Sequence, residues 1–266
     1  SADIKSDEKF GKVAINGKSD GLPVGISPSD VKMLFGSFKT LAIVTCIGET
    51  YVLSQMGSKN GDGTSESAAN NRIWHRVKTG SGSNAFLNDV IAVRGTPYAL
   101  IALTANGDIY TWGTRTYLGN NTNPSNRTYA TKMTLPSGAT PKLIGMTVRA
   151  DFVGGGRDNL TFQGHSYYML SIDGKLYSLG FNNLGQLGTR NLTNYNSWQR
   201  PLYPNNTSMD DIAWISPQEH DATYPVINAI NNNGDLISWG SNAGVILGAD
   251  GSYTHPIVNG RGLSLE

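Results

Sequence analysis

Four gap-free copies of a strand–turn–strand unit, spaced at a near-constant interval and apolar on both strand faces, predict an all-β chain. The expected architecture is a β-propeller of four-stranded antiparallel blades, with about four repeats of roughly 60 residues. The copies are IVTCIGETYVLS (43–54), ALTANGDIYTWG (102–113), MLSIDGKLYSLG (169–180) and AINNNGDLISWG (229–240). Their shared glycines, Gly48, Gly107, Gly174 and Gly234, lie 59, 67 and 60 residues apart. That period is too long for a single hairpin and suits a repeated supersecondary unit.

Within each copy the turn is read first. Asn106-Gly107, Asp173-Gly174 and Asn233-Gly234 accept positive φ at both central positions, so a two-residue hairpin turn is expected, with Ile47-Gly48 its weakest member. The following strands, such as Ile109-Tyr110-Thr111-Trp112 and Leu236-Ile237-Ser238-Trp239, carry apolar residues on both faces. A sheet covered on one side alternates, so sheets sandwiched between sheets are expected. Cys46 aligns with Ala105, Ile172 and Asn232 within a strand, where a plain small apolar residue is anticipated.

An inner strand precedes each hairpin at residues 30–34, 89–93, 142–146 and 211–215. An outer one is expected at Arg72-Ile73-Trp74, Lys132-Met133-Thr134-Leu135, Arg200-Pro201-Leu202 and His255-Pro256-Ile257-Val258, where proline suits an edge. The division that follows is a leader or latch strand, 1–25, and repeats 26–80, 81–138, 139–204 and 205–266. Residues 147–163 read as an insertion lengthening the third repeat.

Residues 164–188, GHSYYMLSIDGKLYSLGFNNLGQLG, resemble the repeat of the regulator of chromosome condensation propellers, with its Gly-His-Ser, Leu-Gly and Gly-Gln-Leu-Gly elements. The other units approximate it: Thr96-Pro97-Tyr98, Glu219-His220-Asp221 and Ser37-Phe38-Lys39 stand where Gly-His-Ser is expected. The resemblance implies a seven-bladed ring, of which four units are visible, so further repeats in the same or another chain would complete it. It also implies a structural role for His165.

Composition narrows function. Charged residues are 15% of the chain, against about 25% in ordinary domains, and the formal net charge is +1. Nothing here gathers nucleic acid, and no apolar run is long enough for membrane insertion. One cysteine excludes a disulfide framework, and His75, His165, His220 and His255 share no metal-ligand spacing. No cofactor or metal is expected. Asn60-Gly61-Asp62-Gly63-Thr64 imitates a calcium loop but lacks its required glycine and glutamate, and no carboxylate pair or nucleophile elbow stands out.

The recurring aromatics Tyr51, Tyr110, Tyr177, Trp112 and Trp239 are expected in the packing between blades. Six Asn-x-Ser/Thr sequons, at Asn120, Asn126, Asn159, Asn191, Asn205 and Asn206, mark surface loops. Binding is therefore assigned to the long loops 57–71, 114–130, 147–163, 181–198 and 203–210. The candidate residues are Arg115, Tyr117, Asn182, Asn183, Tyr195 and Asn242. The leading expectation is a non-catalytic recognition module of an extracellular or cell-surface protein, binding protein or glycan. The alternatives are an intracellular regulator docking a small GTPase or chromatin, and a carbohydrate-active propeller enzyme.

Overall fold

A computed structural model of the chain describes residues 21–54, 59–65, 73–152, 160–220, 222–241 and 252–258. They form four antiparallel four-stranded sheets, each in simple sequence order. The first holds Val31–Ser37 (β1), Thr40–Thr45 (β2), Thr50–Ser54 (β3) and His75–Arg76 (β4). The second holds Val90–Gly95 (β5), Ala99–Thr104 (β6), Ile109–Thr116 (β7) and Ser125–Lys132 (β8). The third holds Pro141–Phe152 (β9), Leu160–Ser171 (β10), Leu176–Gly180 (β11) and Tyr195–Gln199 (β12). The fourth holds Ile212–Pro217 (β13), Val226–Asn231 (β14), Leu236–Gly240 (β15) and Tyr253–Val258 (β16).

The fold is a β-propeller with about four blades. First strands approach one another, β1 to β5, β5 to β9 and β9 to β13, so they lie toward the axis. Three apolar clusters fill the spaces between consecutive sheets. Val52, Val93, Leu100 and Trp112 join the first sheet to the second; Leu103, Ile109, Met146 and Tyr167 join the second to the third; Tyr168, Leu170, Ile227 and Trp239 join the third to the fourth. Trp112 and Trp239 are buried and each reaches back one blade, their indole N–H groups donating to the carbonyls of Lys59 and Gln186 at 2.9 and 3.0 Å. Tyr110 and Tyr177 flank the same clusters. Trp112, Trp239, Tyr110 and Tyr177 are thus packing residues, as expected, whereas Tyr51 is half-buried and outside these clusters.

The hairpin turns depart from expectation in one respect. In all four, the glycine N–H donates three residues back, as from Gly107 to Thr104 at 3.0 Å, and the strand closes one residue later, as from Thr104 N–H to the Asp108 carbonyl at 2.9 Å. Only the glycine has positive φ, between 82° and 87°. This is a type I turn followed by a left-handed residue, not the two-residue turn. Because it asks nothing special of the preceding residue, Ile47-Gly48 fits as well as Asn106-Gly107. The same geometry puts the first turn residue outside the ladder, so Cys46 lies in the turn, exposed, and not within a strand.

Three of the four outer strands also lie elsewhere. Strand β4 begins after Trp74, β8 ends at Lys132 and β12 ends before Pro201; only 255–258 falls inside its strand, β16. Apolar Met133 enters the core immediately after β8, which made the anchor look like the strand. Consequently 125–130 and 195–198, assigned to loops, belong to strands. The leader to residue 20 lies outside the described residues.

Candidate functional site

The loops between first and second strands, and those between third and fourth, share one end of the blades. At that end the third blade differs from its neighbours. Strands β9 and β10 are twelve residues long, against six for β5, β6, β13 and β14. The pairing continues past Met146↔Tyr167 to Leu160↔Phe152, so the hairpin projects by about 20 Å at ~3.3 Å per residue. Residues 147–152 and 160–163, read as an inserted loop, are thus strand.

Both flanks of this hairpin are braced. Toward the fourth blade, Ala150 N–H donates to the Ala222 carbonyl at 2.8 Å and the Arg149 guanidinium to the Thr223 carbonyl at 2.5 Å. Toward the second, His165 Nε2 shares a 2.9 Å hydrogen bond with Thr96 Oγ1, while the Phe162 ring lies 5.1 Å from Tyr98 and 4.8 Å from His165. Val148, Ala150 and Ala222 form a small apolar cluster with Tyr98, Leu160 and Phe162 packed on it. Full burial pushes His165 down to about 3, so its imidazole is neutral and structural.

Beside the hairpin, Arg94 of β5 grips Glu219 through one hydrogen bond, Nε–H to Oε1 at 3.0 Å, and an ion-pair contact, Nη2 to Oε2 at 2.8 Å, joining the second blade to the fourth. Glu219 is 2% exposed. Burial pushes its carboxyl up to about 7, although Arg94 pulls the other way. Between the ordinary value of 4.5 and about 7 the folded chain holds this proton more tightly than the unfolded chain. The contribution to stability is therefore complete below about pH 4.5 and is lost as pH rises through about 7, on the order of 3 kcal/mol. Replacing Glu219 with Gln should raise the melting temperature above pH 7 and leave it nearly unchanged near pH 4.5. A difference independent of pH would contradict the assignment.

The six candidate residues are distributed unevenly over this end. Arg115 is exposed, with its guanidinium 5.6 Å from the Phe162 ring, and it is the one whose side chain meets the projecting half of the hairpin. Asn183 is exposed in the next loop. Tyr117 is buried edge-on to Tyr167 at 6.4 Å. Asn182 is buried and organises its loop: its amide donates to the Asn191 and Thr193 carbonyls at 3.0 Å and accepts from Leu187 N–H at 2.9 Å. The Tyr195 hydroxyl accepts from Asn191 at 2.9 Å, and Asn242 lies outside the described residues.

Arg94, Tyr98, Arg149, Phe162 and Glu219 went unselected. The alternation in Thr147-Val148-Arg149-Ala150-Asp151 marks a strand and was the available signal. No such signal pairs Arg94 with Glu219. Three of the six sequons have a local explanation: the Asn120, Asn191 and Asn205 side-chain oxygens accept the N–H of the Thr two residues on, at 3.2, 3.1 and 3.1 Å. Asn-x-Thr here builds turns.

Among the described residues no group of three or more His, Cys, Asp or Glu gathers to hold a metal ion, and no helix is long and apolar enough to cross a membrane. No protein-family model matches the sequence, and no curated protein matches it. Solved structures do resemble it. Human WBSCR16 superposes with a TM-score of 0.63 at 17% identity, over 88% of this chain and 54% of that one. Yeast RCC1 (Prp20), in its complex with Kap60, gives 0.61 at 15% identity, over 91% and 51%. Saccharomyces cerevisiae Prp20p, described with its binding to Gsp1p and histones, gives 0.61 at 14% identity, over 91% and 53%. The chain thus has the fold of the RCC1-like propellers and spans about half the length of these structures.

Proposed function

We propose that this chain is a non-catalytic docking platform for a protein partner, with the projecting β9–β10 hairpin as its docking element. The observation that carries this reading is the bracing of that hairpin from both sides. A strand pair standing proud of a scaffold is an ordering cost already met before any partner arrives, which favours binding. Its base presents Arg115 beside the tilted ring pair of Phe162 and Tyr98, and Arg and Tyr are among the residue types that dominate protein-binding hot spots.

Prp20p, a neighbour in fold, binds Gsp1p and histones, which supports a regulatory role on a protein of the small-GTPase class. The near-neutral charge favours that partner over histones, whose basic surface calls for an acidic one. The adhesive, cell-surface reading is carried by composition alone. Fractionation of producing cells separates the two compartments.

The test is direct binding to a panel of purified small GTPases, nucleotide-bound and nucleotide-free, with core histones alongside. An Asn-Gly turn joining Val148 to His165 should weaken binding by about tenfold or more while the chain stays folded. Unchanged binding by that variant, or no binding by the parent chain, would overturn the reading.

A further inference from the structure

In an antiparallel strand pair, the backbone groups of successive residues alternate between facing the partner strand and facing away from it. Two hydrogen bonds fix that alternation in the projecting half of the hairpin. Ala150 N–H donates away from β10, to the Ala222 carbonyl, and Ala150 pairs with Phe162. The Phe162 N–H and C=O therefore turn away from β9, toward the other edge of β10, and those of Leu160 do the same two residues earlier. His165 gives the same answer from the far side, since its carbonyl accepts from Phe181 N–H on the β11 edge. The two agree because the register shifts by one residue between Phe162 and Gly164.

This edge has no neighbouring strand. Strand β11 ends at Gly180, opposite Ser166, and Phe181 closes the slot behind it, so near that a Cβ on Gly164 would lie 2.5 Å from its ring. Past that stop, among the described residues, no backbone group bonds the outward N–H and C=O of Phe162 and Leu160. Such an edge is a template for one more strand. Arg115 stands over it. Its backbone N–H is fixed by the Asn126 side-chain oxygen at 2.9 Å, and its exposed guanidinium lies 5.6 Å from the Phe162 ring. Among the described residues no carboxylate forms an ion pair with it.

We propose that this edge captures an extended acidic segment of the docking partner, added antiparallel to β10 in line with β11. The inference rests on the reading of the hairpin as the docking element and names what that element holds. The main chain of the guest exchanges bonds with Phe162 and Leu160. Side chains directly opposite one another share a sheet face, so the guest residue opposite Phe162 meets Arg115 and is Asp or Glu. Two places further along the guest, opposite Leu160, an aliphatic side chain extends the small apolar cluster that Leu160 shares with Val148 and Ala150. Acidic-x-aliphatic is the pattern read. A second copy of this chain is the poorer occupant, because pairing two β10 edges antiparallel brings both Arg115 guanidiniums to one face.

The test is an NMR titration of the whole chain with two acetylated heptapeptides, Thr-Thr-Glu-Thr-Val-Thr-Thr and its counterpart with Lys for Glu. The Glu peptide should shift the amides of 160–162 and of Arg115, and bind about tenfold more tightly than the Lys peptide. Arg115→Glu should reverse that order. Leu160→Pro removes an N–H that the β9 ladder does not use, so this variant should melt like the parent and bind the Glu peptide about fivefold more weakly. N-methylation of the peptide's Glu removes the donor that would meet the Phe162 carbonyl, and it should weaken binding equally with the parent chain untouched. No shift at 160–162, equal binding of the two peptides, indifference to N-methylation, or self-association of the chain through 160–162 would overturn strand capture. The docking reading fails separately, in the binding panel: a partner that still needs the hairpin while neither peptide binds leaves docking intact and this inference wrong.

Discussion

Replacing Trp239 with Ala should cost about 3–5 kcal/mol of folding stability, read as a lower urea midpoint. The indole is fully buried, among Tyr168, Ile227 and Ile237, at the boundary between the third and fourth blades. Its N–H ends on Gln186 O at 3.0 Å, and Gly188 lies so close that a Cβ there would sit 2.9 Å from the indole nitrogen. Truncation leaves a large cavity that backbone on one side and sheet on the other cannot fill. Gln186 O keeps its 2.6 Å bond from the Tyr168 hydroxyl, so lost packing dominates over the lost hydrogen bond. Trp239→Phe should therefore cost much less. Trp214→Ala, at an exposed site, should change monomer stability by about 0.5 kcal/mol or less. Equal costs for Trp239 and Trp214 would contradict the blade order.

Gly180→Ala should be comparably damaging, at about 3 kcal/mol or more. Gly180 has φ of 114°, and a Cβ on it would lie 2.4 Å from the His165 carbonyl oxygen and 3.1 Å from Ser166 Cα. Neither strand can give way, because Phe181 N–H donates to that same carbonyl at 2.8 Å and Gly180 pairs with Ser166 in the ladder. Gly138→Ala is the control: its φ is also positive, at 76°, but nothing stands within 4 Å of the added carbon, and about 1 kcal/mol is expected. Comparison of urea midpoints decides it. Equal, small losses at both positions would show that the backbone at Gly180 relaxes.

What the sequence disclosed was what repeats. A glycine held at φ 82–87° in every hairpin, and Trp or Leu at one strand position, recur because each blade meets the same neighbours. The four inner strands and the interblade role of the aromatics followed from that. Outer strands did not, since they see less of the core and, in the second blade, the apolar anchor Met133 lies just beyond the strand. The site was the least legible part. Arg94 and Glu219 are 125 residues apart and meet because two blades flank a third, which no local pattern records. Asn182 looked like a loop ligand because polar loop residues commonly face solvent; here its amide is consumed within its own loop.

The most direct test of docking through the hairpin is hydrogen exchange of the chain, free and bound to a partner from the GTPase and histone panel. New protection is expected in 147–152 and 160–165, with the flanking segments 96–98, 218–220 and 222–224. Protection confined to the hairpin turns of the opposite end, 46–48, 105–107, 172–174 and 232–234, would contradict it.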